Sequence, residues 1–182
     1  MERVGLAILA RINHQIVVSL SDLIKLLFKK GECVAISKYL DQRLVLFLDA
    51  NSRDEALKQM VDVLAKEHKL KNPQIFHDAI LEREGIVSTG IGLGVAIPHA
   101  KLHGYDDFFI AIGVQSKKGI EWNALDGAPV HLIFMIGGPD NKQTEYLRIL
   151  SLLTEAIKNE ERRKKLLKAY DVKGVIGLFA GC

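Results

Sequence analysis

Two nearly uninterrupted apolar runs, residues 108–115 and 130–136, limit the folds open to this chain more than any other feature. Each run has the length of a β-strand, and neither alternates between polar and apolar residues as a half-exposed strand does. Such strands are covered on both faces, usually by helices. The sequence therefore predicts an α/β domain with helices on both sides of a central sheet.

The segments around these two runs indicate the order of the remaining elements. Residues 44–48 form a short apolar strand, and Ser52 with Glu55 forms a capping box for the helix that follows. Asn72–Pro73 begins a second helix, and residues 95–97 form another short strand. Three helices follow the last strand. We therefore predict a three-layer α/β/α domain with a mixed sheet and the order β-α-α-β-β-β-α-α-α.

The chain is expected to hold one domain, residues 34–182, and a helical extension, residues 1–33. At 182 residues it can bury about 70% of the surface that its unfolded form exposes. The extension is predicted because apolar residues near its end repeat on one helical face: Leu20, Leu23, Ile24, Leu27 and Phe28.

Composition excludes several classes of function. A net charge of +3 is too small to indicate nucleic-acid binding, and the basic residues 162–165 fit the solvated face of a helix. Cys33 and Cys182 lack the spacing of a metal or redox pair. The apolar run at residues 4–10 is too short for a membrane span or a usual signal peptide. We therefore expect a cytoplasmic protein without membrane insertion.

A glycine-rich segment leads directly into a proline–histidine pair. Gly90, Gly92 and Gly94 stand at every second position, and glycine lets a backbone adopt positive φ and bring its N–H groups close to an anion. Pro98 sets φ ahead of His99, so the imidazole is expected at the rim of a strand. An anion site next to a histidine suits a phosphorylated histidine.

Three polar side chains complete the predicted phosphoryl site. Ser88 and Thr89 add hydroxyl donors beside the glycines, although turn formation alone also explains both residues. Arg83 falls at the end of the second predicted helix. Its guanidinium can hold two phosphoryl oxygens, or it can be a solvated charge near the helix C-terminus.

Two other uses of this segment fit the residues less well. A dinucleotide-binding turn needs a strand before the glycines and a helix after them, whereas a strand and Pro98 follow here. His99 and His103 have the spacing of a metal pair on a helix, but the strand and loop around Pro98 argue against that helix. No cofactor and no metal site is predicted.

The residues from Glu84 onward resemble the signature of a known family. Glu84, a six-residue spacer, Ile91–Gly92 and, two residues later, Val-Ala-Ile-Pro-His-Ala at 95–100 resemble the active-site signature of IIA proteins of the fructose/mannitol class. That class belongs to the bacterial phosphoenolpyruvate-dependent sugar phosphotransferase system and includes the nitrogen-regulatory IIA proteins. The similarity extends from about residue 36 to about residue 179.

The resemblance implies the site and its partners. It implies that His99 is phosphorylated and that Arg83 belongs to the site, while Tyr146 stands where the family has a second histidine. A tyrosine hydroxyl at that helix start remains a neutral donor near pH 7. The implied phosphoryl donor is an HPr-like protein, and the implied recipients are a IIB component or regulatory target proteins.

Three functions remain open on the sequence. The chain is a phosphocarrier for sugar uptake, a regulator that signals by its phosphorylation state, or a binding-only relative whose transfer is weakened or lost because Tyr146 replaces the histidine.

Overall fold

A computed structural model describes residues 36–180, so the extension predicted over residues 1–33 lies outside the described part. The described residues form a 3₁₀ turn, six strands and five helices. In chain order these are the turn Ile36–Tyr39, β1 Leu40–Phe47, α1 Arg53–Lys66, α2 Pro73–Ile86, β2 Gly90–Gly92, β3 Val95–Ala96, β4 His99–Leu102, β5 Phe109–Val114, β6 Leu132–Pro139, α3 Gln143–Lys158, α4 Glu160–Lys168 and α5 Val172–Gly177.

The strands form one mixed sheet in the order β1-β5-β6-β3-β2, and β4 also pairs with β6. β1 is parallel to β5, β5 is antiparallel to β6, and β2 is antiparallel to β3. Both β3 and β4 run parallel to β6, so they follow one another along the same edge of that strand. The predicted mixed sheet is confirmed.

Pro98 lies at the break between β3 and β4. It has no N–H to donate, but its carbonyl accepts a hydrogen bond from the N–H of Ile136 at 2.9 Å. Pairing with β6 resumes at once, with His99 opposite Ile136. The histidine is thus held by a sheet ladder directly after an interruption of the strand.

Helices cover both faces of the sheet, as the apolar runs predicted. Along β5, Phe109 and Ala111 lie in the core shared with α1 and α2, whereas Ile110 and Ile112 lie in the core shared with α3, α4 and α5. The residues of β6 alternate in the same way. The three-layer α/β/α architecture is therefore confirmed.

The predicted helix starts are present. Ser52 Oγ accepts from the N–H of Glu55 at 3.2 Å, the first bond of the predicted capping box, and Glu55 Oε2 accepts from the N–H of Asn51, the residue before the cap, at 2.8 Å. Asn72 caps α2 by accepting from the N–H of Ile75 at 3.1 Å. Among residues 36–180, no helix combines the length and apolar character needed to cross a bilayer.

The structure contains two short strands that the predicted order lacks, β2 and β4. Gly90–Gly92, expected to be part of a turn, pairs antiparallel with β3, and the turn itself is formed by Leu93 and Gly94 with φ of 60° and 72°. Glycine carries no side-chain signal for a strand, so its pattern indicated only a turn. A side chain at Gly90 would also have no room, because its Cβ would lie 2.9 Å from the Cα of Ala124.

Candidate functional site

His99 lies at the start of β4 with both ring nitrogens engaged. Nδ1 lies 2.9 Å from the carbonyl oxygen of Ile97, and the Nε–H of Arg83 donates to Nε2 at 3.0 Å. Because a carbonyl only accepts and a guanidinium only donates, the proton is on Nδ1 and the lone pair is on Nε2. The structure therefore presents the Nε2 lone pair towards a cation.

Arg83 lies in the last turn of α2, as the sequence predicted. Besides the contact with His99, its Nη1 donates to the carbonyl oxygen of Val87 at 2.9 Å, just past the end of the helix. A cation is favourable there because the last carbonyls of a helix lack intrahelical donors. The structure brings Arg83 and His99 together.

The surroundings of His99 favour the neutral imidazole. Burial lowers the pKa of His99 from its ordinary 6.5, and the positive charges of Arg83 and Lys101 lower it further. The hydrogen bond to Ile97 and the charge of Glu84 act in the opposite direction. The lowered pKa favours the neutral imidazole, in agreement with the hydrogen-bond partners of its two nitrogens.

Tyr146 lies in the first turn of α3, against the imidazole. The two ring centroids are 5.5 Å apart at an interplanar angle of 47°, and Phe108 stacks on the tyrosine at 6.1 Å. Burial raises the pKa of Tyr146 to about 12, although the charge of Arg83 opposes this shift. Tyr146 is thus a neutral aromatic wall of the site at pH 7.

Lys101 joins the site although the sequence reasoning did not single it out. Its ammonium lies 4.7 Å from the centroid of the Tyr146 ring and donates to Oε1 of Gln143 at 2.5 Å. Residues two apart on a strand project on the same face. That rule would have identified Lys101 as a neighbour of His99, had the residues after Pro98 been assigned to a strand rather than a loop.

Ser88 and Thr89 use their hydroxyls to hold the chain between α2 and β2. The buried carboxylate of Glu84 accepts from the Thr89 N–H at 2.9 Å and from the Thr89 hydroxyl at 2.5 Å. Ser88 Oγ donates to the carbonyl of Trp122 at 2.8 Å and accepts from the N–H of Gly90 at 3.1 Å. Both hydroxyls therefore have partners other than His99.

The three glycines are not gathered around the histidine. Gly90 pairs with Ala96, one residue before the strand break, but Gly92 and Gly94 lie at the far end of the β2–β3 hairpin. At roughly 3.3 Å per residue along an extended chain, Gly94 lies on the order of 15 Å from His99. The hairpin attaches β3 to β6, since the Gly94 carbonyl accepts from the N–H groups of His131 and Leu132 at 2.8 and 3.0 Å.

Sequence comparison matches most of this chain to one family. Residues 38–181 match the family model described as phosphoenolpyruvate-dependent sugar phosphotransferase system, EIIA 2. The PTS system fructose-specific EIIABC component of Bacillus subtilis is 40% identical over 134 residues, 74% of this chain but 21% of that protein. The chain therefore spans about a fifth of that relative. The fructose-specific EIIA component of Haloferax volcanii is 35% identical over 129 residues, 71% of this chain and 83% of that protein.

A solved structure has the same fold. The crystal structure of the nitrogen regulatory protein IIA-Ntr from Neisseria meningitidis superposes with a TM-score of 0.73 at 28% identity, covering 79% of this chain and 98% of that one. Proteins of this kind are phosphocarriers that act through a phosphohistidine and interact with phosphodonors and IIB components. On the family match and the shared fold, this chain belongs to the EIIA type 2 family of the phosphoenolpyruvate-dependent sugar phosphotransferase system.

Proposed function

We propose that this protein accepts a phosphoryl group on Nε2 of His99 from an HPr-like phosphoprotein and passes it on or signals by carrying it. The observation that supports this most directly is the pair of ring contacts, with Nδ1–H held by Ile97 and the Nε2 lone pair facing Arg83. This imidazole is neutral, oriented and next to a guanidinium, which are the conditions for in-line transfer.

The transfer requires no exchange of protons at His99. The Nε2 lone pair attacks phosphorus as the bond from phosphorus to the donor imidazole breaks, and the electrons of that bond stay on the donor. His99 keeps its proton on Nδ1 and gains positive charge in the ring. The Ile97 carbonyl oxygen, 2.9 Å from Nδ1, stabilises that charge, because a hydrogen bond donated by a charged ring is stronger than one donated by a neutral ring.

Arg83 contacts Nε2 of His99 before transfer and becomes a ligand of the phosphoryl group after transfer. In the unphosphorylated protein its Nε–H occupies Nε2, so the guanidinium must leave that position before phosphorus can approach. A guanidinium presents its donors in a planar fork that suits two phosphoryl oxygens. The positive charge of Arg83 therefore neutralises the negative charge of the phosphoryl group that takes its place at Nε2 of His99.

Incubation with a phosphorylated HPr-type protein tests this function. Intact-mass measurement is expected to show one added phosphoryl group on the parent and none on His99→Gln. His103→Gln is a matched control, because that histidine is 96% exposed and is expected to leave labelling unchanged. Labelling of His99→Gln at the parent's level would reject the site, and an unlabelled parent would support the binding-only alternative.

A regulatory role is the second candidate, and the likeness to a nitrogen regulatory protein favours it. The two roles differ in the recipient of the phosphoryl group. A phosphorylated regulator changes its affinity for a target protein, whereas a sugar phosphocarrier loses the group to a cysteine of a IIB component. Chasing the labelled protein with a IIB component separates them, since rapid loss of label identifies the sugar phosphocarrier.

A further inference from the structure

Lys101 and His99 lie on the same face of β4, under the first turn of α3. They are two residues apart in the strand and pair with Gly138 and Ile136 of β6, so their side chains leave the sheet on the same side. Tyr146 contacts both, with its ring centroid 5.5 Å from the His99 ring and 4.7 Å from the Lys101 ammonium. One aromatic ring thus holds a cation beside the predicted phosphoryl site.

The charge of Lys101 is not neutralised by a carboxylate. Within residues 36–180, no Asp or Glu forms an ion pair with it, and its hydrogen bond runs to the neutral amide oxygen of Gln143. The contact with the tyrosine face is attractive but leaves the charge free to act on a neighbour. That charge already reaches His99, because it contributes to the lowered pKa of the imidazole.

Tyr146 itself brings no positive charge to the site. Where the family has a histidine, an imidazole can carry a proton, whereas Tyr146 is neutral at pH 7. What the tyrosine offers instead is an electron-rich face, the surface to which an ammonium group is attracted. An ammonium group from β4 thus lies on the aromatic ring that α3 contributes.

We infer that Lys101 is a phosphoryl ligand of this protein, held by the ring of Tyr146 and released from Gln143 to bind an oxygen of the phosphoryl group on His99. This inference depends on the proposed phosphorylation of His99. Exchanging a neutral amide oxygen for a phosphoryl oxygen makes the lysine's hydrogen bond stronger, because both partners are then charged. Tyr146 is a positioning residue in this arrangement, because its ring contacts both the His99 ring and the Lys101 ammonium.

Four variants separate this arrangement from simple packing. In enclosed sites, loss of one preorganised donor slows the reaction by ~100-fold or more. Lys101 is half-exposed, so we expect the transfer rate of Lys101→Met to be only about tenfold lower than that of the parent. Lys101→Arg is expected to keep most of the rate. Tyr146→Phe keeps the ring and is expected to transfer faster than Tyr146→Leu, which is expected to be as slow as Lys101→Met.

A double variant and a matched control complete the set. Combining Lys101→Met with Tyr146→Leu is expected to slow transfer no further than either change alone, because the two residues act as a unit. Lys117→Met is the control, since Lys117 is exposed and pairs with Asp49 at 3.1 Å. Its rate is expected to equal that of the parent.

A second readout responds to contact with the phosphoryl group and not to packing. The phosphorus NMR signal of the phosphorylated protein is followed against pH, and a nearby ammonium lowers the midpoint of the phosphoryl titration. The midpoint is expected to rise in Lys101→Met and to stay at the parent's value in Lys117→Met.

The possible outcomes distinguish this inference from the proposed function. If the parent and Lys101→Met are labelled on His99 at the same rate and titrate alike, the lysine is not a ligand, while the phosphorylation of His99 stands. If Tyr146→Phe is as slow as Tyr146→Leu, the tyrosine acts through its hydroxyl, and the inference that its ring positions Lys101 is rejected. A parent that takes up no phosphoryl group on His99 overturns both proposals.

Discussion

Thr89→Val is expected to lower the free energy of unfolding of this domain by about 1.5–3 kcal/mol, the range for hydrogen bonds to charged groups. The Thr89 hydroxyl donates to Oε2 of Glu84, and valine has the same shape without the donor. Glu84 and Thr89 are only 4% and 5% exposed, so water cannot take the place of the lost hydroxyl. The N–H of Thr89 still donates to Oε1 at 2.9 Å, which limits the loss to one bond.

Urea unfolding and thermal melts measure this change. For a domain of this size, 1 kcal/mol corresponds to a shift in Tm of about 2–4 °C, so the expected decrease is about 3–12 °C. Thr89→Ser is the matched control, because it keeps the hydroxyl. Ser88→Ala removes two bonds to neutral peptide groups, one to the Trp122 carbonyl and one from the Gly90 N–H, each expected to contribute about 0.5–1.5 kcal/mol.

The comparison of Thr89→Val with the parent decides the matter. If Thr89→Val is as stable as the parent, the hydroxyl does not stabilise the buried carboxylate and the reasoning is refuted. The position also bears on the site, because the Thr89 carbonyl accepts from the N–H of Ile97 at 3.0 Å and the Ile97 carbonyl holds Nδ1 of His99. Thr89→Val is accordingly expected to slow phosphoryl transfer as well.

Four further predictions follow from the same contacts. Burial and nearby charges lower the pKa of His99 below 6.5, so the unfolded chain binds a proton at His99 before the folded chain does as the pH falls. The stability that the neutral imidazole contributes is therefore present above pH 6.5 and lost below it. Between pH 7.5 and pH 5.5, the free energy of unfolding measured in urea should decrease less for His99→Gln than for the parent. Arg83→Ala should keep the fold, as checked by circular dichroism, but slow transfer by ~100-fold or more; an unchanged rate would remove Arg83 from the site. Gly90→Ala should destabilise the domain by about 1–3 kcal/mol in urea unfolding, because its Cβ would lie 2.9 Å from the Cα of Ala124, whereas Gly85→Ala, with nothing within 4 Å, should not. Deleting residues 1–33 should leave a folded domain that accepts phosphate in the labelling assay, and an unfolded product would show that these residues are part of the core.

The layers of this fold were predictable because their signals are local. The uninterrupted apolar runs of β5 and β6 indicated burial on both faces, and the structure divides each strand between two cores. Ser52 with Glu55 and Asn72 with Pro73 marked two helix starts, because a cap is made by residues within one turn of each other.

The parts that could not be predicted depend on contacts between distant segments. Gly90–Gly92 becomes a strand only because β3 pairs with it, and the partners of Thr89 and Ser88 are set by the packing of α2 and of the Trp122 loop. An expected anion-binding turn proved to be a hairpin whose tip lies away from His99. The roles of Arg83, His99 and Tyr146 remain predictions, although the structure brings the three side chains together.

The two sides of the imidazole come from different layers of the domain. Arg83 belongs to the helix layer on one face of the sheet and Tyr146 to the layer on the other, and both contact the ring of His99 at the start of β4. If only one helix layer has packed on the sheet, His99 therefore lacks either its contact with Arg83 or its contact with Tyr146. On the proposed phosphorylation of His99, a phosphoryl group in contact with Arg83 and beside Tyr146 is expected to link the two helix layers and to make the phosphorylated domain more resistant to proteolysis than the unphosphorylated one.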